Sequence, residues 1–155
     1  MEKIYYFAYG SCMDQVDFTR TIAEFEVLGS AILKNYRLAF TLYGESRYGG
    51  VADVVRSLGD EVQGVLYSFA QEELPHLDQR EGVHLGKYER IEVDIHFQGK
   101  RVRAYTYQVV DKAQQEIAPS AYYAGLMING MSKFATEEYK KSFTNRLQQG
   151  FGLKL

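Results

Sequence analysis

Two carboxyl groups near the middle of the chain are placed where they could exchange protons with a ligand. Asp78 and Glu81 are three residues apart, and Gly82 follows directly, as glycine commonly does at a helix end. At such an end Glu81 would lie beside the partial negative charge of the last carbonyls, with Asp78 one turn back. Both effects disfavour ionisation, so the sequence predicts a raised pKa for Glu81.

Two possible nucleophiles, Ser11 and Cys12, follow the first hydrophobic run. Ser11 lacks the Gly-x-Ser-x-Gly setting of a nucleophile elbow. Cys12 is the single cysteine of the chain. A lone cysteine is more often a small buried apolar residue than a nucleophile. We therefore expect neither to act covalently, although a role for Cys12 stays open.

The sequence contains no complete motif for a metal site or a phosphate-binding loop. The histidines at 76, 84 and 96 form no HExxH or similar motif, so we predict no metal. Gly44 and Gly49 have the spacing of a phosphate-binding loop, but Gly50-Val51 replaces the required Lys-Ser/Thr. These glycines indicate a flexible hairpin or a lid over a pocket.

Composition limits the remaining classes of function. A chain of 155 residues with 46% hydrophobic residues suits one domain, which we expect to span residues 1–155. A net charge of -2 with dispersed basic residues argues against nucleic acid. No apolar run approaches the roughly 18 residues that would cross a membrane, and one cysteine without a signal-peptide pattern predicts the cytoplasm.

Strand patterns dominate the first part of the chain. A β-branched and aromatic run at Ile4–Tyr9 stops at Gly10-Ser11, and Asp14 then suits the N-cap of a short helix. Turn residues separate the three strands and the helix that we predict next: Ala31–Leu42, Val51–Val55, Val62–Phe69 and Gln71–Arg80.

A hairpin and two helical patterns complete the chain. Arg90–Phe97 alternates between apolar and polar residues, and Gln98-Gly99 turns it into Arg101–Val110. Helical spacing begins after Pro119-Ser120. Together these elements predict an α+β fold, with a mixed, curled β-sheet or small β-barrel flanked by helices. Periodicity leaves open whether the sheet closes.

Several motifs, in order, resemble one family. Tyr6-Phe7-Ala8-Tyr9-Gly10-Ser11 resembles the Tyr-Gly-Ser opening of the γ-glutamyl cyclotransferase and AIG2-like superfamily. Leu77-Asp78-Gln79-Arg80-Glu81-Gly82-Val83, with Gly86-Lys87-Tyr88 after it, is similar to the acidic catalytic segment of that family. The resemblance runs from about Tyr5 to about Met131. It departs from the family at Cys12, where asparagine is common.

The resemblance implies an enzyme that closes a γ-glutamyl group into 5-oxoproline and releases the attached amino acid or amine. It makes Glu81 the general acid/base, and it implies a substrate site built from Tyr6, Phe7, Ala8, Tyr9, Gly10, Ser11 and Tyr107. The reaction is intramolecular, so no cofactor is expected, and the partner is a small γ-glutamyl molecule. A monomer and a homodimer remain open.

Two alternatives to this function remain. One is a non-catalytic AIG2-like module that binds a small molecule, and the other is a cyclotransferase for a γ-glutamyl-protected biosynthetic intermediate. The motifs concern the glutamyl half of the substrate and do not identify the leaving group.

Overall fold

A computed structural model describes residues 2–155 as five strands and four α-helices, with short 3-10 turns between them. The elements follow the chain in this order: β1 (Lys3–Ala8), α1 (Gln15–Thr19), β2 (Glu26–Gly44), β3 (Gly49–Ala70), α2 (Leu74–Arg80), β4 (Tyr88–Phe97), β5 (Lys100–Val109), α3 (Ala121–Phe134) and α4 (Glu137–Phe151). The predicted α+β class is confirmed.

The strands close into a barrel in the order β1-β3-β2-β4-β5. Neighbouring strands are antiparallel except β1 and β5, which run parallel where Tyr6 pairs with Tyr105. Of the two arrangements that the sequence left open, the closed barrel is therefore the observed one.

The arms β2 and β3 are longer than the strands predicted there. Val51–Val55 and Val62–Phe69 belong to one strand, so the prediction that Gly59-Asp60 separates two strands is wrong. The register between β2 and β3 instead shifts at Asn35, which has a φ of 65° and whose Oδ1 accepts a hydrogen bond of 3.1 Å from the Gly59 amide. Gly59-Asp60 therefore marks an irregularity within a long hairpin, although its residue types are those of a turn.

Helix α2 is shorter than the predicted helix over 71–80. Residues Gln71–Glu73 form a 3-10 turn, and the α-helix starts at Leu74, with Pro75 in its first turn. Proline has no amide hydrogen to donate, so it is accommodated at a helix start but not further along. Leu74 and Leu77 are buried against the core, and Glu81 is the C-terminal cap.

Helix α3 fixes the turn that follows β1. It packs against the 3-10 turn Ser11–Met13 and against β3, while α4 packs against α3. Gly130 allows this approach, because a Cβ there would lie 2.2 Å from the Cβ of Met13. Ser120 caps α3, and its Oγ accepts a hydrogen bond of 3.1 Å from the Tyr123 amide.

Candidate active site

A cavity opens where the turn after β1, the end of α2 and the start of α3 meet. Its outer part has a volume of about 610 Å³, and a narrow inner recess has about 30 Å³. The residues that line both parts are Ser11, Glu81, Tyr88 and Tyr123.

Glu81 is carried into the cavity by the end of helix α2. The next residue, Gly82, has a φ of 70°, a left-handed conformation that ends the helix and that glycine adopts without strain. No hydrogen bond or ion pair within residues 2–155 involves the Glu81 carboxylate. The group is partly exposed, and the lining of both parts of the cavity includes it.

Burial raises the pKa of Glu81 from 4.5 to about 7. The guanidinium groups of Arg80 and Arg47 oppose this rise, and the carboxylates of Asp17 and Asp78 add to it. The predicted direction is therefore right. The main cause is withdrawal of the carboxylate from water, with Asp78 as a smaller contribution.

The neighbouring carboxylates are paired, in contrast to Glu81. Asp17 is buried and lies 2.5 Å from an Arg80 nitrogen and 3.3 Å from an Arg47 nitrogen. Burial alone would raise the pKa of Asp17, but the two guanidinium groups hold it below its ordinary value. Asp78 forms an ion pair of 2.5 Å with Arg90. Of these three carboxylates, only Glu81 has no fixed partner to hold its charge.

The turn after β1 forms one wall of the inner recess. Tyr6, Tyr9, Gly10 and Ser11 line it, as the sequence led us to expect of a binding turn. The amide groups of Gly10, Ser11 and Cys12 donate no hydrogen bond within the described residues. Three successive N–H groups are thus available to an anion or a carbonyl oxygen.

Phe7 and Ala8, which belong to the same predicted segment, do not line the cavity. Phe7 is fully buried, and its ring would lie 2.9 Å from a Cβ placed on Gly64 of β3. Ala8 is also fully buried, and it pairs with Val65. These two side chains belong to the core, so a role in substrate binding would be limited to their backbone.

Tyr107 projects from β5 into the recess. Its hydroxyl donates a hydrogen bond of 2.5 Å to Asp78 Oδ1, next to the ion pair that Asp78 makes with Arg90. Tyr105, two residues earlier, lies outside the recess and stacks beneath the Arg90 guanidinium at 5.2 Å. The structure thus joins the predicted Tyr107 to the strand that carries Arg90 and to helix α2.

Arg80 was not among the residues that the sequence singled out. Its guanidinium joins the end of α2 to the turn after β1, because it donates hydrogen bonds to Asp17, to Thr21 Oγ1 at 3.0 Å and to Ser11 Oγ at 3.2 Å. Only its position next to Glu81 could have drawn attention to it. Its partners come from a segment about 60 residues earlier in the chain.

The segment after β2, predicted as a flexible hairpin or lid, borders the outer cavity. Residues 44–47 line it as the end of β2 and a 3-10 turn, and Arg47 ion-pairs with Asp17 and lies 5.6 Å from the centre of the Tyr123 ring. This segment is tied to the cavity wall by a charged side chain.

Cys12 lies in the recess as a buried thiol. Burial raises its pKa to about 11, so the sulfur holds its proton at neutral pH. Across residues 2–155, no three metal-ligating side chains lie close enough together to hold an ion. None of the helices described is both long and apolar enough to cross a membrane.

Comparison with known proteins assigns the chain to a family. A sequence model of the AIG2-like family matches residues 61–143. The putative gamma-glutamylcyclotransferase YkqA of Bacillus subtilis is 34% identical over 154 residues, which are 95% of this chain and 54% of that protein. Gamma-glutamylcyclotransferase of Bos taurus is 31% identical over 152 residues, covering 93% of this chain and 79% of the bovine one.

A solved structure described as a gamma-glutamyl cyclotransferase agrees with the barrel. It superimposes with a TM-score of 0.87 at 28% identity, over 92% of this chain and 87% of the other. The chain therefore belongs to the AIG2-like superfamily that includes the gamma-glutamylcyclotransferases. It spans about half the length of the Bacillus relative and most of the bovine one.

Proposed function

We propose that this protein is a γ-glutamyl cyclotransferase that converts a γ-glutamyl amino acid or γ-glutamylamine into 5-oxoproline and the free amino acid or amine. The observation that carries the proposal is the Glu81 carboxylate, unpaired, facing the cavity, and with a pKa of about 7. A group that must accept and then return a proton near neutral pH works best with a pKa in that range.

The chemistry requires two proton transfers around one bond exchange. The α-amine of the γ-glutamyl group, in its neutral form, attacks the γ-carbonyl carbon, and the carbonyl electrons move onto oxygen. Glu81 accepts a proton from the new ring nitrogen. When the carbonyl re-forms and the bond to the leaving nitrogen breaks, Glu81 gives that proton to the leaving nitrogen. The proton that the ammonium form loses before attack reaches the product amine through solvent.

The binding turn would hold the glutamyl half of the substrate. The free amide groups of Gly10, Ser11 and Cys12 suit either the α-carboxylate or the oxygen that gains charge. Arg80 holds Ser11 and Asp17 in place beside Glu81. Folding the substrate against this wall would bring amine and carbonyl together, and such preorganisation is worth effective molarities of about 10⁵ to 10⁸ M.

The reaction transfers protons and no electrons, so the proposal includes no cofactor. A cytoplasmic location is also part of the proposal, since a reducing compartment suits a chain with one buried, protonated cysteine.

A substrate panel tests the function. Wild-type protein incubated with γ-glutamyl amino acids and γ-glutamylamines should release 5-oxoproline, detected by mass spectrometry. Glu81→Gln should abolish turnover and still bind substrate. Glu24→Gln, which alters an exposed carboxyl on the loop before β2, is the matched control and should keep full activity. Binding without turnover by wild type would favour the module that only binds, and release by Glu81→Gln would remove Glu81 from the mechanism.

A further inference from the structure

Five tyrosines line the inner recess, and most of their hydroxyl protons already have an acceptor. A phenol has one proton to donate, and its oxygen can also accept. Three of the five donate to fixed acceptors: Tyr9 to the carbonyl of Tyr107 at 2.6 Å, Tyr88 to the carbonyl of Ala52 at 2.5 Å, and Tyr107 to Asp78 at 2.5 Å. The fourth, Tyr6, lines the inner recess but not the outer cavity.

Tyr123 differs from these four because its hydroxyl accepts a hydrogen bond. The amide of Ala52 donates to it at 3.0 Å, and the Tyr123 hydroxyl donates no hydrogen bond among residues 2–155. Since the Ala52 amide occupies one side of the phenol oxygen, the proton is left to point away from it. Of the five tyrosines, only Tyr88 and Tyr123 also line the outer cavity, and Tyr88 has already used its proton.

The Tyr123 hydroxyl lies next to the turn after β1. It lies 3.3 Å from where a Cβ on Gly10 would stand, so the absence of a side chain at Gly10 leaves space for it. It thus adjoins the free amide groups of the turn, and it shares the cavity lining with Glu81. A ligand carbonyl held there would meet donors from two directions, the turn and helix α3.

We propose that Tyr123 is a catalytic residue that donates a hydrogen bond to the substrate's γ-carbonyl oxygen as that oxygen gains negative charge. The inference rests on the proposed function and extends it. No bond to Tyr123 forms or breaks, and its proton stays on the phenol while the C–N bonds are exchanged. Its contribution is therefore to the transition state rather than to the bound substrate.

The surroundings of Tyr123 suit a fixed donor. Its amide is bound by the Ser120 cap at the start of α3, and its oxygen is held by the Ala52 amide, so the side chain is fixed at both ends. The Arg47 guanidinium lies 5.6 Å from the ring centre. Burial raises the pKa of Tyr123 to about 12, so the phenol keeps its proton at neutral pH.

Tyr123→Phe, compared with Tyr88→Phe, tests the proposal. Each variant removes one hydroxyl bonded to the peptide groups of Ala52, but only Tyr123→Phe removes a proton directed at the cavity. We expect kcat to fall about 10² to 10³-fold in Tyr123→Phe with little change in KM, as for the loss of one oxyanion donor. Tyr88→Phe should lose a similar amount of thermal stability and less than about tenfold in kcat.

The pH dependence of kcat distinguishes donation from an indirect effect. If Tyr123 acts on the substrate, the midpoint of the profile set by Glu81 stays where it is in wild type. A shifted midpoint would mean that Tyr123 acts by positioning Glu81, and equal losses in the two Phe variants would mean a structural role. Either result overturns the proposal. An inactive wild type would instead refute the proposed function itself, so the two failures are separable.

Discussion

Replacing Glu81 by glutamine should leave the stability of the protein nearly unchanged at pH 4.5 and should raise it increasingly from there to about pH 7. The folded state raises the pKa of this carboxyl from 4.5 to about 7, chiefly by burial. Between these values the native state binds more protons than the unfolded state, so stability falls as pH rises. Glutamine resembles the neutral acid in shape and carries no charge at any pH in this range.

The size of the effect follows from the two pKa values. At about 1.4 kcal/mol per pKa unit, the rise to about 7 corresponds to about 3 kcal/mol, which is lost progressively from pH 4.5 upward. Partial exposure of Glu81 to the cavity screens the charge, so we expect a measured difference of about 2 kcal/mol. Above about pH 7 the difference should level off.

Urea unfolding at intervals from about pH 4.5 to about pH 8 measures this difference. Glu81→Gln minus wild type should give a curve that starts near zero and rises with pH, while Glu24→Gln minus wild type stays flat. A flat curve for Glu81→Gln, or one that falls with pH, would show that Arg47 and Arg80 stabilise the carboxylate. The reasoning about burial would then be wrong.

Four further substitutions address the supports of the site. Gly82→Ala should cost about 1–2 kcal/mol in chemical denaturation and lower kcat, since its φ of 70° positions the end of α2. Gly130→Ala should cost about 1–3 kcal/mol in the same assay, because its Cβ would collide with the binding turn. Cys12→Ala should keep most turnover in the 5-oxoproline assay, since the thiol is protonated. Asp17→Asn should move the pH–rate midpoint to lower pH, because one negative neighbour of Glu81 is lost.

Local signals in the sequence predicted the local structure well. Asp14 caps the helix that it was expected to cap, and helix α3 begins directly after Pro119-Ser120, as the spacing predicted. Gln98-Gly99 forms the predicted tight turn, with φ values of 51° and 75°. Such features depend on a few adjacent residues, so the sequence carries most of the information.

Features that depend on pairing between distant segments were less accessible. Gly59-Asp60 has the composition of a loop, yet it lies at an irregularity inside one long strand, because β2 pairs with β3 on both sides of it. Closure of the barrel depends on β1 meeting β5, and no periodicity reports that contact. In both cases the deciding partner lies elsewhere in the chain.

In the candidate site, too, the sequence predicted local motifs better than contacts between distant segments. Motif resemblance pointed to Glu81, to the turn at Gly10 and to Tyr107, and the structure brings these to one recess. The sequence did not single out Tyr123. Which cavity tyrosine keeps a free proton depends on the acceptors around each one, and the acceptors of Tyr9, Tyr88 and Tyr107 come from two strands and a helix.

The pairing of Tyr6 with Tyr105 has a consequence for biosynthesis. During synthesis, β1 must wait for β5, which is made about a hundred residues later, before its pocket has walls, and α3 follows later still. Long sequence separation of this kind slows folding. A nascent chain should therefore be catalytically silent until α3 has emerged, and truncation just before α3 should leave no working pocket.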